Sequence, residues 1–144
     1  MAEQNYKNHM QFVPLFHYIL APLLLIALIG AAVNFGRHIG DPRGRTQITV
    51  TLIMALGLFL LSYLARTFAL KAQDRAIRAE ENLRHFVLTG KLLDPRLTIG
   101  QIIGLRFASD AEFPALAQKA AESGMSNKDI KMSVRNWRAD TYRV

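Results

Sequence analysis

The sequence predicts an all-α membrane protein. A transmembrane helical hairpin comes first, its second helix runs on into the cytoplasm, and a small helical tail domain follows. Three observations predict this. Charge is segregated: residues 12–35 and 46–65 contain no Asp, Glu, Lys or Arg, although charged residues make up 20% of the chain. Each uncharged run, coiled as a helix at ~1.5 Å per residue, is long enough for the ~30 Å hydrocarbon core of a bilayer. After the second run no Gly or Pro appears until Gly90, so nothing stops that helix.

Residues 1–11 form a polar collar. The stretch is too long, polar and weakly charged for a cleavable signal, and no small-residue cleavage site closes the first apolar run. Residues 12–34 form the first span, with His17 as its single ionisable side chain. Pro14 suits a first helical turn, where its missing N–H costs little. Phe12, Phe16, His17 and Tyr18 fall at the boundary where amphipathic rings anchor a helix, with Tyr6 and Lys7 just outside it. Residues 35–45, "FGRHIGDPRGR", form the periplasmic loop, with Gly36, Gly40, Pro42 and Gly44 as helix breakers and Asp41-Pro42 as a turn signal. Residues 46–65 form the second span, because a backbone in lipid must satisfy its own hydrogen bonds. Small residues (Ala27, Gly30, Ala31 and Ala32 on the first span, Ala55, Gly57 and Ser62 on the second) allow close helix packing. They serve the hairpin itself or another membrane subunit.

Lys and Arg near the span ends set the orientation. The loop holds Arg37, Arg43 and Arg45; the opposite side holds Lys7, the terminal amine, Arg66, Lys71, Arg75 and Arg78. The larger positive count places both termini in the cytoplasm of a two-pass protein of the bacterial inner membrane.

Residues 66–89 extend the second helix beyond the bilayer. Ala65, Phe68, Ala72, Ala76, Ala79, Leu83 and Phe86 line one side at steps of three and four, a heptad-like seam. Opposite charges four apart, Asp74/Arg78 and Glu80/Arg84, should each add a few tenths of a kcal/mol. The seam needs a cover: the protein's own tail, a second copy, or a partner subunit. Residues 90–144 predict three short helices. Thr98 caps one holding Ile99, Ile102, Ile103 and Leu105. Ser109 with Glu112 makes a capping box for one ending near Ser123, with Gly124 as its stop. Ser126 caps the last, carrying Ile130, Val134 and Trp137. So small a unit needs docking on the extended helix or the membrane surface to complete its core.

The chemistry is sparse. Absence of cysteine excludes disulfides, thiolate catalysis and Cys-based metal sites. No phosphate loop, HExxH, GxSxG or paired His at i and i+4 occurs, so neither an enzyme nor a small-molecule substrate is expected. His17, the one histidine inside a span, is the candidate ligand for haem iron or chlorophyll magnesium; interface anchoring and a helix–helix hydrogen bond compete for it. No cofactor is expected beyond lipid contacts. A net charge of +7 suits an anionic partner. Ala120, Gly124, Met125 and Ile130, with Lys128, Lys131, Arg135 and Arg138, outline a helix-turn-helix, but anionic headgroups explain these cations with less machinery than nucleic acid.

Two stretches, "NYKNHMQFVPLFHYILAPLLLI" at the front and "QIIGLRFASDAEFPALAQKAAESGMSNKDIKMSVRNWRADTYRV" at the back, resemble a family of small two-span bacterial membrane proteins of unknown function, common in the Bacteroidetes and related groups. The resemblance implies a membrane hairpin with a helical cytoplasmic tail and supplies no catalytic residues. Three function classes stay open. One is an accessory or scaffold subunit of a larger membrane complex, respiratory or photosynthetic, with Phe68, Ala72, Ala76, Ala79, Leu83, Phe86 and Trp137 as packing candidates. The second is a tethered regulator whose basic tail binds DNA or a cytoplasmic partner. The third is a pigment- or haem-carrying subunit using His17.

Overall fold

A computed structural model describes residues 4–140. The terminal amine and the Thr141–Val144 end of the carboxy-terminal motif lie outside them. The described residues are all-helical: a π-helical segment, Leu15–Leu20, is followed by α1 (Ala21–His38), α2 (Arg45–Thr89), α3 (Ile99–Leu105), α4 (Phe113–Ser123) and α5 (Asn127–Ser133). The one β pairing among the described residues is an isolated bridge between Ala108 and Trp137. Two compact units result. One comprises residues 12–69, the other residues 4–11 together with 70–140.

Two stretches, Leu15–His38 in the first unit and Arg45–Thr89, which begins there and runs on past residue 69, contain helix long and apolar enough to cross a membrane, with almost none of that apolar length buried. The first helical run is shifted from the expected 12–34. It starts at Leu15 and continues through Phe35, Gly36 and Arg37 to His38, so the expected 35–45 loop shrinks to residues 39–44. One interior Gly costs a helix only about 1 kcal/mol, too little to end it. The break comes where Asp41 accepts a hydrogen bond from the Arg43 N–H at 3.0 Å and Pro42 withholds a donor. The π turn immediately precedes Pro22, and the Ala21 N–H bonds five residues back to Phe16 O. A wider turn leaves room where a proline ring crowds the preceding carbonyls. Ala27, Gly30 and Ala31 face Thr51 and Ala55 across an open groove of about 560 Å³.

In the second unit α2 ends at Thr89, and Gly90 turns the chain with φ of 72° while its N–H bonds Phe86 O at 2.8 Å. That left-handed backbone favours glycine. Thr98 and Gln101 form a full capping box at the start of α3. Gly124 stops α4 in the left-handed region, and the Ser126 side chain caps α5 by accepting from the Asp129 N–H. The core gathers Leu93, Leu97, Ile102, Leu105, Phe113, Ala117, Ala120 and Ile130 around Ile77 of α2. Helix α3 crosses α5 at Gly104, where a Cβ would stand 3.2 Å from Asn127 O and from the Ile130 side chain. The Asn127 side-chain amide reciprocates by donating to Gly100 O.

Two sequence expectations fail here. Ser109 does not cap α4 through its side chain. Its carbonyl accepts from the Glu112 and Phe113 N–H groups, and the Glu112 carboxylate instead takes the backbone N–H groups of Arg135 and Asn136 at 3.0 and 2.8 Å. A carboxylate holding two backbone donors on a neighbouring segment outweighs one local cap. The last helix also stops at Ser133. Val134 is extended, and Trp137 lies beyond it, opposite Ala108.

Candidate functional site

The C-terminal half of α2 has two faces, and the sequence pattern points to the open one. Buried on this half are Ile77 and Glu81. Phe68 and Phe86 stand nine residues on either side of Ile77, about half a turn away at ~100° per residue. Ala65, Phe68, Ala72, Ala76, Ala79, Leu83 and Phe86 are all exposed, with Leu83 at 63% and Phe86 at 49%. Within residues 70–89 the chain's own tail therefore leaves the 3–4 seam open and covers the opposite side.

That covered side is largely polar. Glu81 accepts from Arg84 at 2.9 Å and lies 3.7 Å from Arg138. Arg84 also donates to Asp110 and to Ala108 O, each at 2.7 Å, and its guanidinium lies 4.4 Å from the Phe113 ring centroid. Charges withdrawn from water need this many partners. The expected Asp74/Arg78 and Glu80/Arg84 pairs do not form among the described residues, since Arg84 is committed to Glu81 and Asp110.

The collar docks on the same unit. Gln4 and Asp140 exchange two hydrogen bonds, at 2.7 and 3.4 Å. The His9 ring donates from Nδ1 to Tyr6 O at 2.7 Å, and Nε2 accepts from Lys131 Nζ at 3.3 Å. His9 packs against Phe107 and Trp137, both 5.8 Å away between centroids, and those two rings lie 4.9 Å apart. Trp137 is thus packed within its own unit. Arg106 pairs with Asp140 at 3.1 Å.

His17 is occupied by its own turn. Its Nδ1 sits 3.0 Å from Val13 O and 3.1 Å from Val13 N, with the Phe12 and Phe16 rings edge-on at 5.3 and 5.2 Å. Arg66 lies 5.5 Å from the centroid of the Phe16 ring. Phe12 and Tyr18 are exposed, as are Tyr6, Lys7, Arg37 and Arg43 of the expected anchoring set, and Arg45. No group of three or more His, Cys, Asp or Glu able to hold a metal occurs among the described residues. The basic second helix of a helix-turn-helix does not persist as one helix. Helix α5 has seven residues, Arg135 and Arg138 fall beyond it, and Arg138 faces Glu81.

Two carboxyls are tuned by their neighbours. Arg96 hydrogen-bonds the Asp94 carboxyl and holds its pKa down at about 2. The Arg135 N–H, helped by the Asn136 N–H, holds Glu112 below its ordinary value.

Sequence reasoning missed Ile77, Glu81 and Phe107, and it gave Arg84 the wrong partner. Ile77 is the lone large apolar residue between Leu70 and Leu83, a signal that was available. Phe107 is placed by partners distant in sequence, whereas Glu81 and Arg84 meet three residues apart on α2 and are then joined by Arg138 and Asp110.

Over residues 1–144 the chain belongs to a family of unknown function, DUF6526. No curated protein and no solved structure matches it.

Proposed function

We propose that this protein is a non-catalytic integral membrane subunit that stabilises a larger membrane complex. The hairpin of α1 and the first part of α2 crosses the bacterial inner membrane, and the unit built on residues 70–140 stands in the cytoplasm. One observation carries this reading: a compact unit with a closed core presents a separate open apolar seam on α2, while the preceding helices expose nearly all their apolar side chains. Apolar surface of that extent has to be covered by lipid or protein. The seam is the surface offered to protein, and Arg66, Lys71, Arg75 and Arg78 bias its side of the membrane to the cytoplasm.

Alkaline carbonate should leave the chain in the membrane pellet, and gentle detergent should release it with a larger assembly in fixed stoichiometry. Release by carbonate, or migration in gentle detergent as a free single chain, would overturn the proposal.

A further inference from the structure

The open seam of α2 has a register that selects its occupant. Within residues 70–89, Ala76 and Leu83 fall seven apart, as do Ala72, Ala79 and Phe86, and the two sets interleave at steps of four and three. These are the a and d positions of a coiled coil. The outward positions of the same heptads hold Ile77, Glu81 and Arg84, the face that the chain's own tail covers. The helix is therefore used on one side and free on the other.

The flanks of the seam carry the second signal. Arg75 occupies the g position and Glu80 the e position five residues later. Both are exposed, and neither enters an ion pair among the described residues. In a parallel pair of helices, a g residue faces the e residue five later on the partner. Two copies in parallel thus set Arg75 against the partner copy's Glu80 and, by symmetry, Glu80 against its Arg75. An antiparallel pair sets g against g and e against e, so these two charges never meet.

We propose that the occupant is a second copy of this chain, docked in parallel through Ala72, Ala76, Ala79, Leu83 and Phe86 and registered by two reciprocal Arg75–Glu80 ion pairs. The alanines permit close approach of the backbones, and Leu83 and Phe86 supply the apolar burial. The parallel direction rests on the membrane reading above, because every copy inserted with the same orientation points its α2 the same way.

The chain contains no cysteine, so single substitutions report one position each. In native membranes holding the full chain, A79C should join to itself with a short thiol crosslinker, because d faces d in a parallel pair. R78C, on a flank turned away from the seam, should stay monomeric. In mild detergent, E80R should weaken dimerisation about tenfold by replacing two attractions with two repulsions, and R75E/E80R together should restore it. A chain that resists carbonate extraction yet shows no A79C crosslink, or crosslinks equally at R78C, would overturn the dimer and leave the membrane reading standing. A crosslinked dimer released by carbonate would do the reverse. Loss of dimer in E80R that the double variant fails to restore would remove the ion-pair register.

Discussion

The same residue types lie inside in one part of this molecule and outside in the other. In the unit of residues 70–140, Phe107, Phe113, Leu105 and Ile130 are wholly buried. In residues 12–69, Leu15, Ile26, Ile53 and Leu61 are each more than three-fifths exposed. Burial drives the first arrangement at about 25 cal/mol per Å² of apolar surface removed from water. No such gain exists for helices whose surroundings are themselves apolar, so those helices need only satisfy their backbones. The contrast teaches that hydrophobicity sets position relative to a solvent, and the proposed membrane placement would give the two parts of the chain different ones.

The sharpest way to break the contrast is Phe113→Ala. It should cost the compact unit about 3–5 kcal/mol and open it to protease, while the hairpin stays in the membrane pellet. Simultaneous loss of both would show one cooperative structure. The converse is Ile26→Arg, which should cost insertion about 2.5–3.5 kcal/mol and shift the chain out of the carbonate-resistant fraction. Protease resistance of residues 70–140 should persist. A smaller effect is expected of Gly104→Ala, where the new methyl meets Asn127 O and Ile130 at 3.2 Å. Thermal unfolding should report a loss of about 1–3 kcal/mol, confined to the unit holding α3 and α5.

The smallest effect concerns pH. Glu112 has a folded-state pKa below its ordinary 4.5, so its anchoring of Arg135 and Asn136 is complete above that value. The contribution fades as the pH falls through the lowered folded value. Acid titration of the unfolding midpoint should therefore fall more gently in Glu112→Gln than in the parent, with the two curves converging at low pH. Parallel curves would remove this carboxylate from the account.

Features that depend on a few neighbouring residues were legible in the sequence: the two long apolar helices, the Thr98 and Ser126 caps, and the glycine stops at 90 and 124. Features decided across the chain were not. Spacing located the seam from Phe68 to Phe86 but implied nothing about which side the tail covers, because that side offers one large apolar residue and a carboxylate. Its burial becomes favourable only once Arg84, Arg138 and Asp110 converge. The Ser109–Glu112 pattern looked like a cap because the competing donors, Arg135 and Asn136, lie over twenty residues away. The last helix looked longer than it is for the same reason, since Trp137 is drawn off to Ala108 and Phe107. The polar start of the chain showed its composition, while its docking partner lay at the far end.

That last pairing has a consequence for how the molecule is made. Gln4 bonds Asp140, 136 positions later. At about 5–20 residues per second on the ribosome, the earlier partner waits roughly 7–27 s for the later one. By then every residue of α1 and α2 has been synthesised. The collar is synthesised well before the partner it docks on, so its docking reports that synthesis has run to Asp140.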